Sequence, residues 1–235
     1  MSPKKSKGLF KFKQFSIQQE NVAFRFGTDS MLLGSWIQGS YSRILDVGTG
    51  SGILALMMAQ RFPHSTVLGI DIDHHSVTSA QRNVDASPFR NRIELMTQDF
   101  NDLDVSNTCD LILSNPPYFS NQLESSEKRR SVARHEVNLT LESLLKKSKE
   151  LLKPNGAVAL VLPYSRRDEL IKSEVLHLQK ECVVSSYENS SPIRLLVQMG
   201  HTPGVSVERD RLFIYSENKD YSESFKEMTA DFYLY

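Results

Sequence analysis

Asn115-Pro116-Pro117-Tyr118 and Asp46-Val-Gly48-Thr-Gly50-Ser-Gly52 are the two stretches whose residue types and spacing can do chemistry. In the first, the Asn115 side-chain oxygen and the Pro116 carbonyl can each accept an N–H from one amino group. That aims the lone pair of the nitrogen and stabilises positive charge developing on it. The prolines hold the backbone extended, so both acceptors are placed in advance, and Tyr118 can stack on a planar group. An amine on an sp2 carbon is a poor nucleophile, because its lone pair is delocalised, and a site of this kind corrects that. No strong base is required where the electrophile carries a good leaving group and in-line approach supplies much of the rate. Taken alone, the run also fits an ordinary turn.

The glycine stretch has a more informative context. Arg43-Ile-Leu-Asp-Val47 reads as a strand that leads into the glycines and then into a helical run. Glycine permits a sharp turn and close approach to a ligand, and the helix N-terminus offers N–H groups to an anion. The spacing G-x-G-x-G differs from the dinucleotide fingerprint G-x-G-x-x-G, and the Walker lysine is absent. The next strand ends in Gly69-Ile-Asp71-Ile72-Asp73, where a Rossmann-like site needs a carboxylate for ribose hydroxyls. Asp71 is the candidate, and Asp73 is expected to cap the following helix. Asp99 and Phe100 follow the third strand, where Asp99 also reads as a surface loop acid.

D-V-G-T-G-S-G resembles the cofactor loop of class I S-adenosylmethionine-dependent methyltransferases. That resemblance implies that Asp46, Gly48, Gly50 and Gly52 hold the cofactor and that Asp71 takes its ribose. It further implies that Ile72 packs on the adenine ring, that Asp99 and Phe100 contact it, and that Asn115 also touches the cofactor. The tetrad resembles the signature of amino methyltransferases acting on adenine N6, cytosine N4 or glutamine amide. All three acceptors carry NH2 on an sp2 carbon, so the motif does not choose among them.

These motifs need a scaffold, and from Arg43 to about Gly200 short β-branched runs alternate with amphipathic stretches. Strands are expected at residues 43–47, 66–71, 92–97, 109–114, 157–162, 182–186 and 194–199. Helices are expected at 52–61, 75–86 and 139–152, the last stopped by Pro154 and an Asn155-Gly156 turn. The fold class is α/β: a Rossmann-like, seven-stranded, three-layer αβα sandwich. Residues 212–215 read as a further short strand and 221–229 as a helix, before an apolar end, Phe232-Tyr-Leu-Tyr235, expected to dock on the core. Residues 120–136 read as one long loop.

At 235 residues, with 40% hydrophobic and 24% charged residues, the chain suits a single core. Its formal net charge of zero means that affinity for a polyanion must come from local patches. Cys109 and Cys182 lack metal spacing and are expected to be buried in a protein of the reducing cytosol. No apolar run reaches the length of a membrane span. No metal is expected, and His135 has no second histidine at ligand spacing.

Phe24-Arg-Phe-Gly-Thr28-Asp29-Ser30-Met-Leu-Leu-Gly34, together with Asn115–Tyr118 and Arg134-His-Glu136, resembles the bacterial tRNA(Val) adenine-37 N6-methyltransferase family. The resemblance implies a tRNA anticodon loop as substrate, with Thr28 and Asp29 closing over the methionine end of S-adenosylmethionine. Thr28-Asp29-Ser30 also suits a simple helix cap. Residues 1–40 are expected to form a basic, aromatic segment and cofactor lid, and 41–235 the catalytic domain. Lys4, Lys5, Lys7, Lys11 and Lys13, interleaved with Phe10 and Phe12, would suit phosphates and stacked bases, although taken alone the run reads first as a solvated basic tail. Lys128, Arg129, Arg130 and Arg134 form a second basic cluster after the tetrad. Two rival readings stay open: a protein glutamine methyltransferase, and an RNA-binding protein that keeps the fold without turnover. Neither an added target-recognition domain nor a preceding helical domain fits this length.

Overall fold

The computed structural model describes residues 8–18, 27–104, 108–116, 139–203 and 206–234. Pro117, Tyr118, Lys4, Lys5, Lys7, Lys128, Arg129, Arg130 and Arg134 therefore lie outside the described residues, as does the whole of the expected long loop.

A small antiparallel hairpin of β1 (Leu9–Lys11) and β2 (Ser16–Gln18) precedes the main body. The body comprises α1 (Thr28–Trp36), β3 (Arg43–Val47), α2 (Ile53–Arg61), β4 (Thr66–Asp71), α3 (His74–Asp85), β5 (Ile93–Thr97) and β6 (Cys109–Ser114). After these come α4 (Leu141–Leu151), β7 (Leu152–Pro163), α5 (Arg167–Ile171), β8 (His177–Ser185), β9 (Pro192–Gly200), β10 (Glu208–Phe213) and α6 (Glu223–Thr229). The main sheet has eight strands in the order β10-β8-β9-β7-β6-β3-β4-β5. β9 runs antiparallel to both β7 and β8, and the remaining pairs are parallel. All seven expected strands form, and the tail strand adds an eighth at the edge, starting four residues earlier than its apolar end suggests.

Alternation along each strand splits the core into two layers. Ile44, Leu111, Leu113, Ala157 and Ala159 face a cluster shared with α1, α2 and α6, while Leu45, Ile112, Val158 and Leu160 face one shared with α4 and α5. This is the expected αβα sandwich. In α4, Leu141, Leu144, Leu145, Ser148 and Leu151 recur at helical spacing and form its buried face, and Thr140 caps it by accepting from Ser143 N. α2 is buried from Ile53 to Ala59, because α1 covers the face it turns away from the sheet. Close crossing of the two helices depends on Gly34: a Cβ there would stand 2.6 Å from Met57 Sδ.

One expected boundary is corrected. Leu152 leaves α4 directly into β7, and the Pro154-Asn155-Gly156 segment is a bulge inside that strand rather than a turn before it. The register passes from Cys109↔Leu152 to Leu111↔Ala157 across this segment, in which Pro154 has no N–H to give the ladder. The apolar C-terminus docks as expected through Phe232, which is fully buried. Cys109 and Cys182 are both buried. Among the described residues no helix is long and apolar enough to cross a membrane.

Chain order defines where a ligand belongs. From β3 the chain proceeds to β4 and β5 on one side, then returns to β6 on the other side of β3. A crevice outside the carboxyl ends of β3 and β6 is the topological switch point of such a sheet.

Candidate active site

The glycine loop and Asn115 meet at that crevice. Val47 and Ser114, the last residues of β3 and β6, are register partners. The Ser114 hydroxyl donates to the Val47 carbonyl at 2.7 Å, which joins the strand carrying Asn115 to the strand carrying the glycine loop.

The loop takes its shape from three left-handed glycines, with φ of 72° at Gly48, 56° at Gly50 and 79° at Gly52. L side chains rarely adopt such values, which accounts for the G-x-G-x-G spacing. Gly48 N and Thr49 N both donate to the Ile70 carbonyl at 2.9 Å, and Gly50 N donates to Asp71 Oδ2 at 2.9 Å, so β4 anchors the turn. Among the described residues a Cβ on Gly48 would meet no atom within 4 Å, whereas one on Gly52 would stand 3.2 Å from Ala80 Cβ. Gly48 thus faces open space and Gly52 faces the packed helix α3. Gly52 caps α2 and is not its first residue.

Asp46 is fully buried beneath the loop. Its Oδ2 accepts from Thr49 Oγ1 at 2.6 Å and from Ala55 N at 3.1 Å, while Oδ1 is buried with no hydrogen-bond partner among the described residues. Burial pushes its pKa up to about 7, against the bonds from Thr49 and Ala55, and the neighbouring Asp71 charge adds to the rise. Asp71 is raised too, by burial, against bonds from Asp73 N and Gly50 N. Asp71, half-buried at the end of β4, keeps acceptor capacity for the hydroxyl groups of a ligand lying over the loop. The open space over Gly48 among the described residues agrees with such a ligand; Asp46, with no exposed surface, shapes the loop from beneath.

Ile72 is 43% exposed and Met96, on the next strand, 38% exposed, giving an apolar shelf at the ends of β4 and β5. Asp73 caps α3 by accepting from His75 N and Ser76 N, as expected. Those bonds outweigh its partial burial and hold its carboxyl below the usual range. Asp99 caps a short 3-10 turn through Asn101 N. Phe100 is buried in the core with Leu103 and Ile112, so its ring faces away from solvent.

Asn115 stands directly after β6 with its side chain half-buried, and Pro116 is buried. The Asn115 amide nitrogen donates to the Ser30 hydroxyl at 3.0 Å. Ser30 lies in the first turn of α1, so the Thr28-Asp29-Ser30 segment and Asn115 do come together. The cap reading of that segment is corrected: Gly27 is the N-cap, and no side chain among the described residues caps the helix. Asp29 instead pairs with Arg194 at the start of β9, Oδ2 to Nε 2.8 Å. Thr28 is exposed. Ser30 in this role, and Arg194, are residues that sequence reasoning missed. Local patterns carry no record of contacts formed across the whole fold.

The basic N-terminal residues divide. Lys11 is exposed, whereas Lys13 donates to the Ala230 carbonyl at 2.6 Å and so fastens the hairpin to the C-terminal segment. Phe10 is 40% exposed, but Phe12 is buried in the core, where no base can stack on it; the expectation for Phe12 is corrected.

Comparison with known proteins agrees with this geometry. Residues 24–177 match the family model described as methyltransferase small domain. A curated tRNA1(Val) (adenine(37)-N6)-methyltransferase of Parabacteroides distasonis is 41% identical over 96% of this chain and 97% of its own length. One of the same name from Vibrio vulnificus is 38% identical over 98% and 97%. Among solved structures, a predicted O-methyltransferase of Agrobacterium tumefaciens superposes with a TM-score of 0.69 at 16% identity, covering 86% of this chain and 96% of that one. TYW2 of Pyrococcus horikoshii, crystallised with MeSAdo, gives 0.54 at 12% identity over 79% and 66%. These two likenesses concern the fold. With a family model across most of its length and relatives alike from end to end, the chain belongs to the tRNA1(Val) (adenine(37)-N6)-methyltransferase family within the small-domain methyltransferases.

Proposed function

We propose that the protein transfers a methyl group from S-adenosylmethionine to the N6 amine of adenine 37 in tRNA(Val). The observation that carries this reading is the placement of Asn115 beside the glycine loop, through the Ser114 hydroxyl on the Val47 carbonyl. Relatives of the same length bear the corresponding name.

When bound, the cofactor supplies an electrophilic methyl on a sulfonium, a good leaving group. The residues of this chain hold and orient. The backbone from Gly48 to Gly52 cradles the cofactor, Asp46 holds that loop from beneath, and Asp71 offers hydroxyl acceptors. Ile72 supports the adenine ring, with Asp99 and the Phe100 backbone at its edge. Asn115 Oδ1 and the Pro116 carbonyl accept the two N–H groups of the substrate amine. That directs its lone pair and stabilises the charge that grows on nitrogen. Pro117 extends the rigid backbone and Tyr118 stacks on the base. A loop base costs less to unstack than a duplex base, which suits an anticodon-loop acceptor.

We assign residues 1–40 to RNA approach and cofactor cover, and 41–235 to the catalytic domain. Lys4, Lys5, Lys7, Lys11, Lys128, Arg129, Arg130 and Arg134 neutralise RNA phosphates, and Lys13 does so only if it leaves Ala230.

The test is incubation of purified protein with labelled S-adenosylmethionine and tRNA from cells that lack the gene, then nucleoside digestion and mass spectrometry. N6-methyladenosine at position 37 is the expected product. No label in tRNA while cofactor still binds overturns the reading and turns attention to protein glutamine acceptors.

A further inference from the structure

An asparagine amide has two arms of nearly equal size and opposite hydrogen-bonding sense: the oxygen accepts and the NH2 donates. The reaction proposed above needs the oxygen toward the substrate amine. An amide turned by half a rotation would set N–H against N–H and leave the developing charge without an acceptor. Shape does not distinguish the two arrangements, and a hydroxyl can meet either arm, accepting from the NH2 or donating to the oxygen; the fold sets Nδ2, not Oδ1, on its polar neighbour.

That neighbour is Ser30, whose Oγ lies 3.0 Å from Asn115 Nδ2. Ser30 is 5% exposed, so water does not readily replace it. Its helix turn is fixed on both sides: Met31, Leu32 and Leu33 are fully buried, and Asp29 is held by Arg194. Asn115 is fixed by the backbone that follows Ser114, itself bonded to Val47. The 3.0 Å contact thus joins two rigid parts of the fold, one before the glycine loop in sequence and one after it.

We propose that Ser30 is a positioning residue: its hydroxyl accepts from Asn115 Nδ2 and thereby leaves Oδ1 turned to the substrate amine. The inference rests on the role given to Asn115 above. Removing the hydroxyl leaves Nδ2 unpaired in the productive orientation, a penalty felt at the step that requires that orientation.

The experiment uses Ser30→Ala, Ser30→Cys and Ser30→Thr in the full chain. Alanine deletes one oxygen and favours the helix; cysteine keeps the bulk but accepts weakly; threonine keeps the hydroxyl. The first readout is water exchange of the Asn115 side-chain 15NH2 signal, identified by its loss in Asn115→Asp and measured with no RNA present. The second is kcat and KM for tRNA. Protection of the amide in the wild type, its loss in Ala and Cys, and its return in Thr are expected. Alongside these, kcat should fall about 10- to 100-fold in Ala and Cys with KM within about threefold, and recover in Thr. Ser30→Ala with kcat within twofold of wild type, or a fall in kcat with amide protection unchanged, overturns the proposal. If the wild type methylates no tRNA, the functional reading falls, and the exchange measurement still decides the contact.

Discussion

Asp71 Oδ2 accepts a hydrogen bond from Gly50 N at 2.9 Å, so the carboxylate assigned to the cofactor ribose also holds the glycine loop in shape. Its other oxygen accepts from Asp73 N at 2.9 Å, which orders the start of α3. One side chain thus serves the loop, the next helix and the proposed ligand. Asp71→Ala removes all three, and each buried donor left unmade costs about 1–3 kcal/mol. Calorimetric titration should show cofactor affinity falling by about 10- to 100-fold or more, together with a lower melting temperature. Asp71→Asn, which keeps one acceptor, should fall between wild type and alanine. Equal affinity in all three proteins would remove Asp71 from the site.

The two glycines at opposite ends of the loop should separate binding from folding. Gly48→Ala places a methyl in open space at φ 72°, so stability falls only by the backbone term, roughly 1 kcal/mol, while cofactor binding suffers by more. Gly52→Ala adds to the same backbone penalty a Cβ contact of 3.2 Å with Ala80, and should lower stability further. Urea unfolding and cofactor titration on both variants check the contrast. The reverse ranking would mean that the space over Gly48 holds no ligand.

Burial of Asp46 should make stability depend on pH in a direction unusual for a carboxylate. Its folded pKa of about 7 lies above the unfolded value, so the folded chain keeps a proton that the unfolded chain releases near pH 4. Stability contributed by this group is therefore present at low pH and lost as pH rises from about 4 to 7. The slope is at most about 1.4 kcal/mol per pH unit, and it levels above that window. Asp46→Asn should flatten this part of the curve, with a remainder from Asp71, which burial also raises. Urea midpoints at pH 5, 6, 7 and 8 make the comparison; an unaltered slope in the variant refutes it.

What the sequence made legible follows from range. The strand-loop-helix around Gly48 and the run after Ser114 are local patterns, and parallel topology brings their ends together at the switch point. Asp73 as a cap was equally local. The Asn115–Ser30 bond and the Asp29–Arg194 pair are not, since they span 85 and 165 residues and depend on where α1 lands. Phe12 and Lys13 read as a basic, aromatic arm because hydrophobic and charged residues alternate there. Their roles were decided by the C-terminal segment, which buries Phe12 beside Tyr233 and takes the Lys13 ammonium on Ala230. The extent of β10 was hidden for a related reason: Glu208 to Arg211 are exposed and charged, as an edge strand permits.

Asn115→Ala should abolish methylation while sparing cofactor binding, because the side chain acts on the substrate amine. Activity and cofactor affinity measured on the same preparation check this. Unchanged turnover would sink the mechanism, and loss of cofactor affinity in parallel with activity would place Asn115 in the cofactor site instead.

At the far edge of the sheet, stability and activity should come apart. The Glu181 side chain is 3% exposed and takes Arg167 Nη2 at 2.9 Å and Arg209 Nε at 2.8 Å on the same oxygen. Burial alone would raise its carboxyl, but the bonds from the two arginines outweigh burial and hold it below the usual range. Its stabilising contribution is therefore present above the unfolded carboxylate pKa and lost as pH falls through the folded one. Arg209 lies on β10, so the pairing ties the eighth strand to β8 and to the start of α5. Glu181→Gln keeps the shape and one acceptor but removes the charge, and should cost on the order of 2–3 kcal/mol, below the full penalty for a broken buried pair because both arginines reach solvent. Specific activity per folded molecule, measured well below the melting temperature, should match the wild type, since the tie lies away from the β3–β6 crevice. A variant equally stable to urea would mean that the arginines contribute nothing net to holding the edge strand.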